Sequence, residues 1–352
     1  MLAVARYLGG LLLALLLTAC GKELLYQEQG YVFGTLVEVT VYGEEDAKSK
    51  AAVATVMHEF QRLHDLLHAW KPSPLSELNA ALASGAGYQV TQELAAMLQE
   101  ASALSQQSGG LFNPGIGGLV KLWGFQADEF KAVLPDEQQV SALVAANPQM
   151  GDLTLTPASA SANVTVSSRN PSIQFDLGGY AKGYALDRAV SLLKQQGIHN
   201  ALVNIGGNVM ALGQHGSRPW RVGIQHPRKP APIATLELHD GEAIGTSGDY
   251  QRYFELGGNR YCHLIDPRSG HPAQGVQAVT ILTHGARAGV LSDSASKPLF
   301  IAGAAGWLAA AQQMGLNEVM LIDHDGHVQL TATMQKRLEF SDKNTVRKIA
   351  PH

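Results

Sequence analysis

A glycine-rich turn between a strand and a helix restricts the fold of this chain more than any other feature. Residues 176–187 read DLGGYAKGYALD, after a strand-like segment and at the start of a helix expected from about residue 179 to 196. Glycine lets the backbone approach a ligand, and the free N–H groups of a helix start favour an anion. Lys182 can add a point charge for a phosphate, and Asp176 can accept hydrogen bonds from a polar ring edge. The segment is neither GxGxxG nor a Walker loop, so a plain turn with a surface lysine is the alternative.

Composition excludes several classes of protein. The 352 residues are 45% hydrophobic and 16% charged, unlike a disordered chain. The 26 lysines and arginines against 30 acids give a net charge of −4, without a basic run, so nucleic acid is not an expected partner. Two cysteines, Cys20 and Cys262, cannot form a disulfide framework or a four-cysteine zinc site.

The first twenty residues are expected to be an export signal outside the fold. Arg6 precedes the apolar stretch LLLALLLTAC, which is short for a membrane span. Residues 17–21, LTACG, resemble a bacterial lipoprotein box in which Cys20 would be lipidated; an ordinary signal peptide or a short anchor helix is the alternative. Acyl chains tether a soluble domain without crossing the bilayer. We therefore expect a lipid-anchored protein of the bacterial cell envelope that faces the periplasm.

The remaining chain reads as one α+β unit at residues 31–340, with a polar spacer at 21–30 and a polar tail at 341–352. Alternation predicts a strand over residues 31–42. Helical spacing and helix-stop signals predict helices at about 47–68, 91–108, 136–146, 179–196 and 306–314. Further strands are expected within 152–175 and at about 201–209, 220–225, 234–238, 261–264, 277–283, 318–323 and 327–330.

Three more glycine-bearing loops follow short strands. They read NIGGNV at 204–209, GTSGDY at 245–250 and HLIDPRSG at 263–270, and each alone would be an ordinary turn. Together with DLGGYAKGYALD, in this order, they resemble the ApbE family of FAD:protein FMN transferases. The resemblance spans roughly residues 31–330 and includes FGT at 33–35, WKP at 70–72, LSELN at 75–79, GLFNP at 110–114 and LWGF at 122–125.

The resemblance implies both a fold and an activity. The fold is a two-lobed α+β architecture with mainly antiparallel sheets flanked by helices and an FAD cleft between the lobes. The activity is transfer of FMN from FAD to a threonine or serine hydroxyl of an acceptor flavoprotein subunit of a respiratory or redox complex, with release of AMP. Such a transfer needs a base, cations on the phosphate oxygens and a pocket for the rings.

Site residues follow from the same resemblance. His263 matches the family base, and an imidazole titrates near neutrality. Arg268 is expected to brace its own loop through Asp266 rather than to touch phosphate. Asn113 stands where many members carry aspartate, which removes a charge and weakens any role as a base. The positions that match FAD contacts are Phe33, Trp70, Leu111, Phe112, Asn113, Asp176, Lys182, Ile265 and Ser296.

The metal site departs from the family pattern. Members usually show Ala-Asp-x-x-x-Thr, whose aspartate and threonine bind Mg²⁺ with a backbone oxygen of the glycine-rich turn, matched here by Gly179. In this chain Asp293 is present, but Lys297 takes the threonine position, and a protonated lysine has no lone pair for a metal. Three arrangements are open. Mg²⁺ is retained through Asp293, Gly179 and water or phosphate, which the phosphate charge favours; the Lys297 ammonium sits near the metal position; or Pro298 directs Lys297 away.

Other functions compete with FMN transfer. One is a Mg²⁺-dependent FAD pyrophosphatase that forms FMN and AMP without an acceptor. Another is an FAD-binding lipoprotein without transfer, whose metal site was lost through Lys297. A structural lipoprotein without a ligand is the fourth.

Three smaller features are expected to carry no function. His64 and His68 share a helix face and could form a metal pair, but without an HExxH pattern a solvated face is favoured. Residues 323–327, DHDGH, are expected to form a hairpin turn. Ser247 is not expected to be a nucleophile because GTSGDY is not GxSxG.

Overall fold

The computed structural model describes residues 24–127, 129–158 and 163–350. The expected export signal, including Cys20, lies outside the described residues. Among the residues described, no helix is both long and apolar enough to cross a membrane. The helices are α1 (Asp46–Leu67), α2 (Pro74–Ala83), α3 (Gln92–Gln107), α4 (Gly117–Leu122), α5 (Glu137–Ala146), α6 (Ala181–Gln195), α7 (Ala288–Ser294), α8 (Ser296–Gln313) and α9 (Ala332–Arg337).

The strands form one large sheet and three small ones. They are β1 (Leu25–Val32), β2 (Thr35–Tyr42), β3 (Tyr88–Val90), β4 (Leu153–Pro157), β5 (Val164–Ser168), β6 (Ala201–Ile205), β7 (Asn208–Leu212), β8 (Trp220–Gln225), β9 (Pro232–Leu238), β10 (Glu242–Gly248), β11 (Tyr253–Leu256), β12 (Asn259–Cys262), β13 (Val276–His284), β14 (Val319–Asp323), β15 (Val328–Leu330), β16 (Leu338–Phe340) and β17 (Arg347–Ile349).

The large sheet has nine strands in the order β1-β2-β6-β7-β10-β13-β14-β15-β17. Its neighbours pair antiparallel except β15 and β17, which are parallel. The small sheets are β16-β9-β8, β3-β5-β4 and β11-β12. Together with the helices this is the α+β fold, with mainly antiparallel sheets, that the resemblance implies.

The two ends of the sheet correct the sequence prediction. Residues 31–42 form two strands rather than one, because Val32 pairs with Thr35 and the intervening Phe33 and Gly34 form a turn with positive φ values of 57° and 72°. The first strand of this hairpin begins at Leu25, inside the expected polar spacer. At the other end, β17 lies inside the expected polar tail.

Both faces of the large sheet are covered. In β14 the side chains of Val319 and Leu321 join the main core, which also contains α1, α3 and α6. Met320 and Ile322 point to the opposite face and join a second core with β8 and β9. A strand buried on both faces reads as a continuous apolar run rather than as an alternating one.

A contact between α6 and α7 positions the residues that matter later. A Cβ atom on Gly183 would lie 2.3 Å from the carbonyl oxygen of Gly289, so only glycine allows the two helices to approach this closely. The carboxylate of Asp187, the last residue of the DLGGYAKGYALD motif, accepts hydrogen bonds from the amides of Gly289 (2.9 Å) and Val290 (3.0 Å). These bonds cap the start of α7.

The ionisation of Asp187 reflects its place between the helices. Burial raises the pKa of Asp187 to about 6, although the hydrogen bonds from the Val290 and Gly289 amides lower this pKa.

Candidate active site

A cleft of about 860 Å³ collects the motifs of the sequence. This volume is sufficient for a large organic ligand. Eight of the nine expected FAD-contact positions line it, and so do Gly179, His263 and Lys297. The eight are Phe33, Trp70, Leu111, Phe112, Asn113, Asp176, Lys182 and Ile265. The ninth, Ser296, is buried and does not line the cleft.

One wall of the cleft is aromatic. The ring of Phe33 lies 6.1 Å from that of Phe60 and 6.0 Å from the imidazole of His64. The positive φ of Phe33 belongs to the two-residue turn between β1 and β2. Phe33 lines the cleft at this turn, where its ring can cover a flat ligand.

His64 and His68 belong to the same wall. Both line the cleft and are half-buried, so the expected solvated helix face is wrong for them. The His68 Nδ1 atom accepts hydrogen bonds from the backbone amides of Trp70 (3.1 Å) and Lys71 (3.0 Å). These bonds end α1 and fix the backbone that presents the Trp70 ring to the cleft.

The glycine-rich turn forms the floor of the cleft. The Asp176 Oδ1 atom accepts the amide of Gly178 at 2.8 Å, which holds the turn before α6. A Cβ atom on Gly179 would lie 2.7 Å from Cε of Lys297, so the side chain of Lys297 runs directly beside this glycine. The exposed backbone at this turn and the N-terminal end of α6 favour an anion.

Beside the turn lies a cluster of three charges, a buried aspartate and two partly exposed lysines. The Asp293 carboxylate is 2% exposed, and its Oδ1 atom contacts the ammonium groups of Lys297 (2.8 Å) and Lys182 (3.2 Å). Its Oδ2 atom accepts the Gly183 amide at 3.1 Å. Burial alone would raise the pKa of Asp293, but the Lys182 and Lys297 charges and these hydrogen bonds hold it well below its usual value. Burial lowers the pKa of Lys297, and Asp293 opposes that effect.

This cluster does not fit a magnesium ion. Mg²⁺ requires near-octahedral oxygen ligands about 2.0–2.1 Å away. The Lys297 Nζ atom instead donates to both Oδ1 (2.8 Å) and the backbone oxygen (2.7 Å) of Asp293. The Gly179 carbonyl, the expected third ligand, is 3.4 Å from the Ser294 hydroxyl that donates to it. Of the three arrangements left open, the one in which Pro298 directs Lys297 away is therefore wrong, and the ammonium lies beside the expected aspartate ligand, as in the second arrangement.

Two buried serines support the cluster from behind. The Ser296 hydroxyl donates to the backbone oxygen of Asp293 at 2.9 Å and lies 2.8 Å from the hydroxyl of Ser247. Ser247 is therefore engaged in a structural hydrogen bond inside the fold, which agrees with the expectation that it is not a nucleophile. Ser296 positions Asp293 rather than contacting the cleft.

His263 stands directly after β12 and lines the cleft. Its Nδ1 atom is 3.3 Å from the backbone oxygen of Arg252. A carbonyl oxygen can only accept, so this bond places the proton on Nδ1 and leaves the Nε2 lone pair available as a base. Burial and the positive charges of Arg252, Lys297 and Lys182 lower the pKa of His263 to about 3, so its imidazole is neutral at neutral pH.

Arg252 is a site residue that the sequence reasoning missed. It lines the cleft, and its Nη2 atom donates to the backbone oxygens of Phe125 (2.8 Å) and Ala127 (3.2 Å). The hairpin of β11 and β12, in which Tyr253 pairs with Cys262, places Arg252 opposite His263. The two glycines at its turn are the sequence signal from which this pairing could have been found.

The loop after His263 is held from two sides. The Trp123 indole donates to the Gly270 carbonyl at 2.7 Å, so the LWGF and HLIDPRSG motifs meet in a small apolar core that includes Ile265. Arg268 pairs with Asp266 at 2.7 Å, which confirms that it braces its own loop.

The side chains of Asn113 and Asn79 form hydrogen bonds with the backbone around the cleft. The Asn113 side chain accepts the Gly115 amide at 3.0 Å and donates to the Pro148 carbonyl at 2.8 Å. Both of its polar ends are therefore occupied within the fold. Asn79 exchanges two hydrogen bonds with the backbone of Phe175, just before the glycine-rich turn, and so ties the LSELN motif to that turn.

The fold and the cleft together define an α+β protein built to bind a large ligand with flat rings and an anionic group. Residues 33–321 match the ApbE family. A protein of Rhodobacter capsulatus named FAD:protein FMN transferase is 44% identical over 312 residues, which is 89% of this chain and 58% of that protein. The chain thus spans less than two thirds of that relative. A protein of Treponema pallidum (strain Nichols) with the same name is 33% identical over 338 residues, 91% of each chain.

Solved structures agree with the sequence relatives. The ApbE protein of Thermotoga maritima MSB8 has a TM-score of 0.79 and 26% identity, over 89% of this chain and 99% of that one. The flavin transferase ApbE of Vibrio cholerae has a TM-score of 0.76 and 26% identity, over 90% and 99%. This chain belongs to the ApbE family.

Proposed function

We propose that this protein transfers FMN from FAD to a hydroxyl group of an acceptor protein and releases AMP. The observation that carries the proposal is one cleft that joins an anion-binding turn, two ammonium groups, an aromatic wall and a neutral imidazole. The FAD:protein FMN transferases among the relatives support the same reaction.

The residues of the cleft divide the binding of FAD between them. The rings would lie against Phe33, Trp70 and Phe112, which supply apolar and stacking contacts. The diphosphate would lie at the glycine-rich turn, where the backbone N–H groups of the helix start and the ammonium groups of Lys182 and Lys297 meet it. This arrangement fixes the diphosphate before an acceptor arrives, and positioning of this kind lowers the barrier to phosphoryl transfer.

The transfer itself needs one proton acceptor. The acceptor hydroxyl oxygen forms a bond to the FMN phosphorus, and the bond from that phosphorus to the bridging oxygen breaks with its electron pair going to AMP. The hydroxyl proton passes to Nε2 of His263, whose Nδ1–H is held by the Arg252 carbonyl. Burial, together with the neighbouring positive charges, lowers the pKa of His263 and keeps the imidazole unprotonated before this step.

The acceptor and the location of the reaction belong to the same proposal. The acceptor would be a flavoprotein subunit of a respiratory or redox complex. A lipid on Cys20 would hold the protein at a membrane of the cell envelope, facing the periplasm. The apolar stretch and the LTACG sequence at residues 17–21 support this anchor.

The lipid anchor can be tested by substitution. The variant Cys20→Ala should be released from the membrane fraction. Equal membrane retention of the variant would contradict the lipid anchor.

Flavin fluorescence on a denaturing gel tests the reaction. The protein is incubated with FAD and a flavin-free acceptor subunit, and the gel is inspected under ultraviolet light. The proposal predicts a fluorescent acceptor band that is absent when the acceptor threonine or serine is replaced by alanine. A dark acceptor band in the presence of bound, intact FAD would favour a binding protein without transfer.

A further inference from the structure

We propose that the ammonium groups of Lys297 and Lys182 replace a divalent metal ion at the diphosphate, so that this chain transfers FMN without Mg²⁺. The inference rests on the proposed function and concerns its cation. It starts from the position of Lys297, whose Nζ atom lies 2.8 Å from the buried Asp293 carboxylate beside the glycine-rich turn.

The hydrogen bonds leave each ammonium group with a free donor. An ammonium group carries three N–H donors. Lys297 uses two of them on Oδ1 (2.8 Å) and the backbone oxygen (2.7 Å) of Asp293. Lys182 donates to the Gly178 carbonyl (3.0 Å), and its Nζ atom forms an ion pair with Oδ1 of Asp293 at 3.2 Å. At least one donor of each lysine therefore remains for a phosphate oxygen.

Both lysines face the cleft from a partly buried position. Their side chains are 15% (Lys297) and 23% (Lys182) exposed, and both line the cleft. Asp293 holds them in place from behind, since its Oδ1 atom contacts both and its Oδ2 atom accepts the Gly183 amide. Long lysine side chains are usually mobile, and this anchoring removes the conformational freedom that a bound phosphate would otherwise have to remove.

The charges of the two lysines also suit the binding of a diphosphate. Two ammonium groups bring two positive charges, the same total as one Mg²⁺ ion. The cluster of two lysines and one aspartate carries a net charge of +1, so it attracts the diphosphate of FAD, which brings about two negative charges. During transfer, negative charge grows on the AMP phosphate as its bond to the FMN phosphorus breaks. The two ammonium groups stabilise that charge by hydrogen bonds, without a change in their own covalent bonds.

The first test uses the unaltered protein. Initial rates of FMN transfer to an acceptor subunit are measured with excess EDTA and with added MgCl₂. The inference predicts equal rates in the two conditions. Transfer that stops in EDTA and returns with Mg²⁺ would overturn the inference and leave the proposed function intact. No transfer in either condition would contradict the proposed function, and the inference with it.

The second test replaces the lysine. The variant Lys297→Thr should lose about 100-fold in rate in EDTA, the effect expected when a preorganised charge is removed from a transition state. Added Mg²⁺ should restore transfer, because the new hydroxyl and Asp293 supply oxygen ligands that water can complete. Lys194→Thr, which makes the same change at an exposed position of α6, should resemble the parent in both conditions.

FAD affinity gives a readout that does not depend on transfer. The quenching of flavin fluorescence on binding is followed in EDTA for the parent and both variants. The parent and Lys194→Thr should bind equally, and Lys297→Thr should bind about tenfold more weakly, as expected for the loss of one charged hydrogen bond. Parent-like affinity and parent-like transfer of Lys297→Thr in EDTA would overturn the inference.

Discussion

The ammonium of Lys297 lies 2.8 Å from the Asp293 carboxylate, four residues earlier in the chain. The two residues lie on different helices, Asp293 on α7 and Lys297 on α8. The short connection between these helices brings the ammonium back over the carboxylate and beside Gly179. This ion pair places a fixed positive charge where a phosphate-bearing ligand would enter the glycine-rich turn.

Removal of the carboxylate should destabilise the protein and abolish transfer. In Asp293→Asn the partly buried ammonium groups of Lys182 and Lys297 face each other without a counter-charge. Loss of one partner of a buried ion pair costs about 3–5 kcal/mol, so we expect a loss near the lower end of that range, because both lysines are partly exposed. Urea unfolding measures it. Glu339→Gln, which breaks the exposed pair with Arg221, is the matched control and should cost less than about 1 kcal/mol. Equal stability of the two variants would contradict the structural role of Asp293.

Replacement of His263 should separate binding from chemistry. His263→Ala removes the base but not the aromatic wall or the ammonium groups, so FAD affinity should stay close to that of the parent. The rate of transfer should fall by about 10²–10⁴-fold, the usual contribution of a general base. His284→Ala, at an exposed position at the end of β13, is the control and should transfer at the parent rate. Parent-like transfer by His263→Ala would remove this residue from the mechanism.

The same histidine predicts a pH dependence of stability in the absence of FAD. Burial and the charges of Arg252, Lys297 and Lys182 lower the pKa of His263 to about 3 in the folded protein. An unfolded histidine binds a proton near pH 6.5, so below that pH the unfolded chain gains a proton that the folded chain refuses until about pH 3. This group therefore costs stability as the pH falls between these two values.

The comparison with His263→Gln measures this effect. The free energy of unfolding of the parent should fall, relative to that of the variant, as the pH is lowered from neutral to about 4. Urea titrations at several pH values give the difference. A difference that does not change with pH would show that His263 titrates normally, and burial and the charges around it would then not lower its pKa.

A fourth prediction concerns the close contact of α6 and α7. In Gly183→Ala the new methyl group would lie 2.3 Å from the Gly289 carbonyl oxygen, so the helices must separate. Overpacking of this kind costs about 1–3 kcal/mol, and it should also weaken transfer because the Gly183 amide holds Asp293. Gly151→Ala has open space around it and should be close to neutral. Thermal unfolding of both variants measures this difference. Equal midpoint temperatures for Gly183→Ala and Gly151→Ala would contradict the tight contact between the helices.

The sequence predicted the long helices and many of the strands, but it missed helices α2, α4, α7 and α9 and placed the start of α8 at residue 306 rather than at Ser296. Helix α3 begins after Thr91, whose hydroxyl accepts the Leu94 amide as expected for a cap, and β8 has the predicted bounds. Helix α2 was missed because KPSP reads as a helix stop, although Ser73 and Ser76 form a capping box and Pro74 occupies the first turn. The turn at Phe33 was missed because a phenylalanine rarely adopts a positive φ.

The sequence motifs predicted which backbone segments form the candidate site. They did not predict which partners the long side chains of the site contact. His263 follows the end of β12, as expected, whereas the glycine-rich turn at 178–179 lies just before α6 and well after β5, which ends at Ser168. The direction of Lys297 could not be derived, since a lysine can reach several positions and only the Asp293 carboxylate, 2% exposed beneath it, selects one. His64 and His68 were misplaced because helical spacing shows which residues share a face but not what that face contacts.

One measurement tests the central claim most directly. The protein is mixed with FAD and a flavin-free acceptor subunit, and the acceptor is weighed by mass spectrometry while AMP is quantified in the same samples. The account predicts that each acceptor molecule gaining the mass of one FMN is matched by one AMP released. AMP without a heavier acceptor would identify a pyrophosphatase, and intact FAD with an unchanged acceptor would identify a flavin-binding protein; either result would contradict FMN transfer.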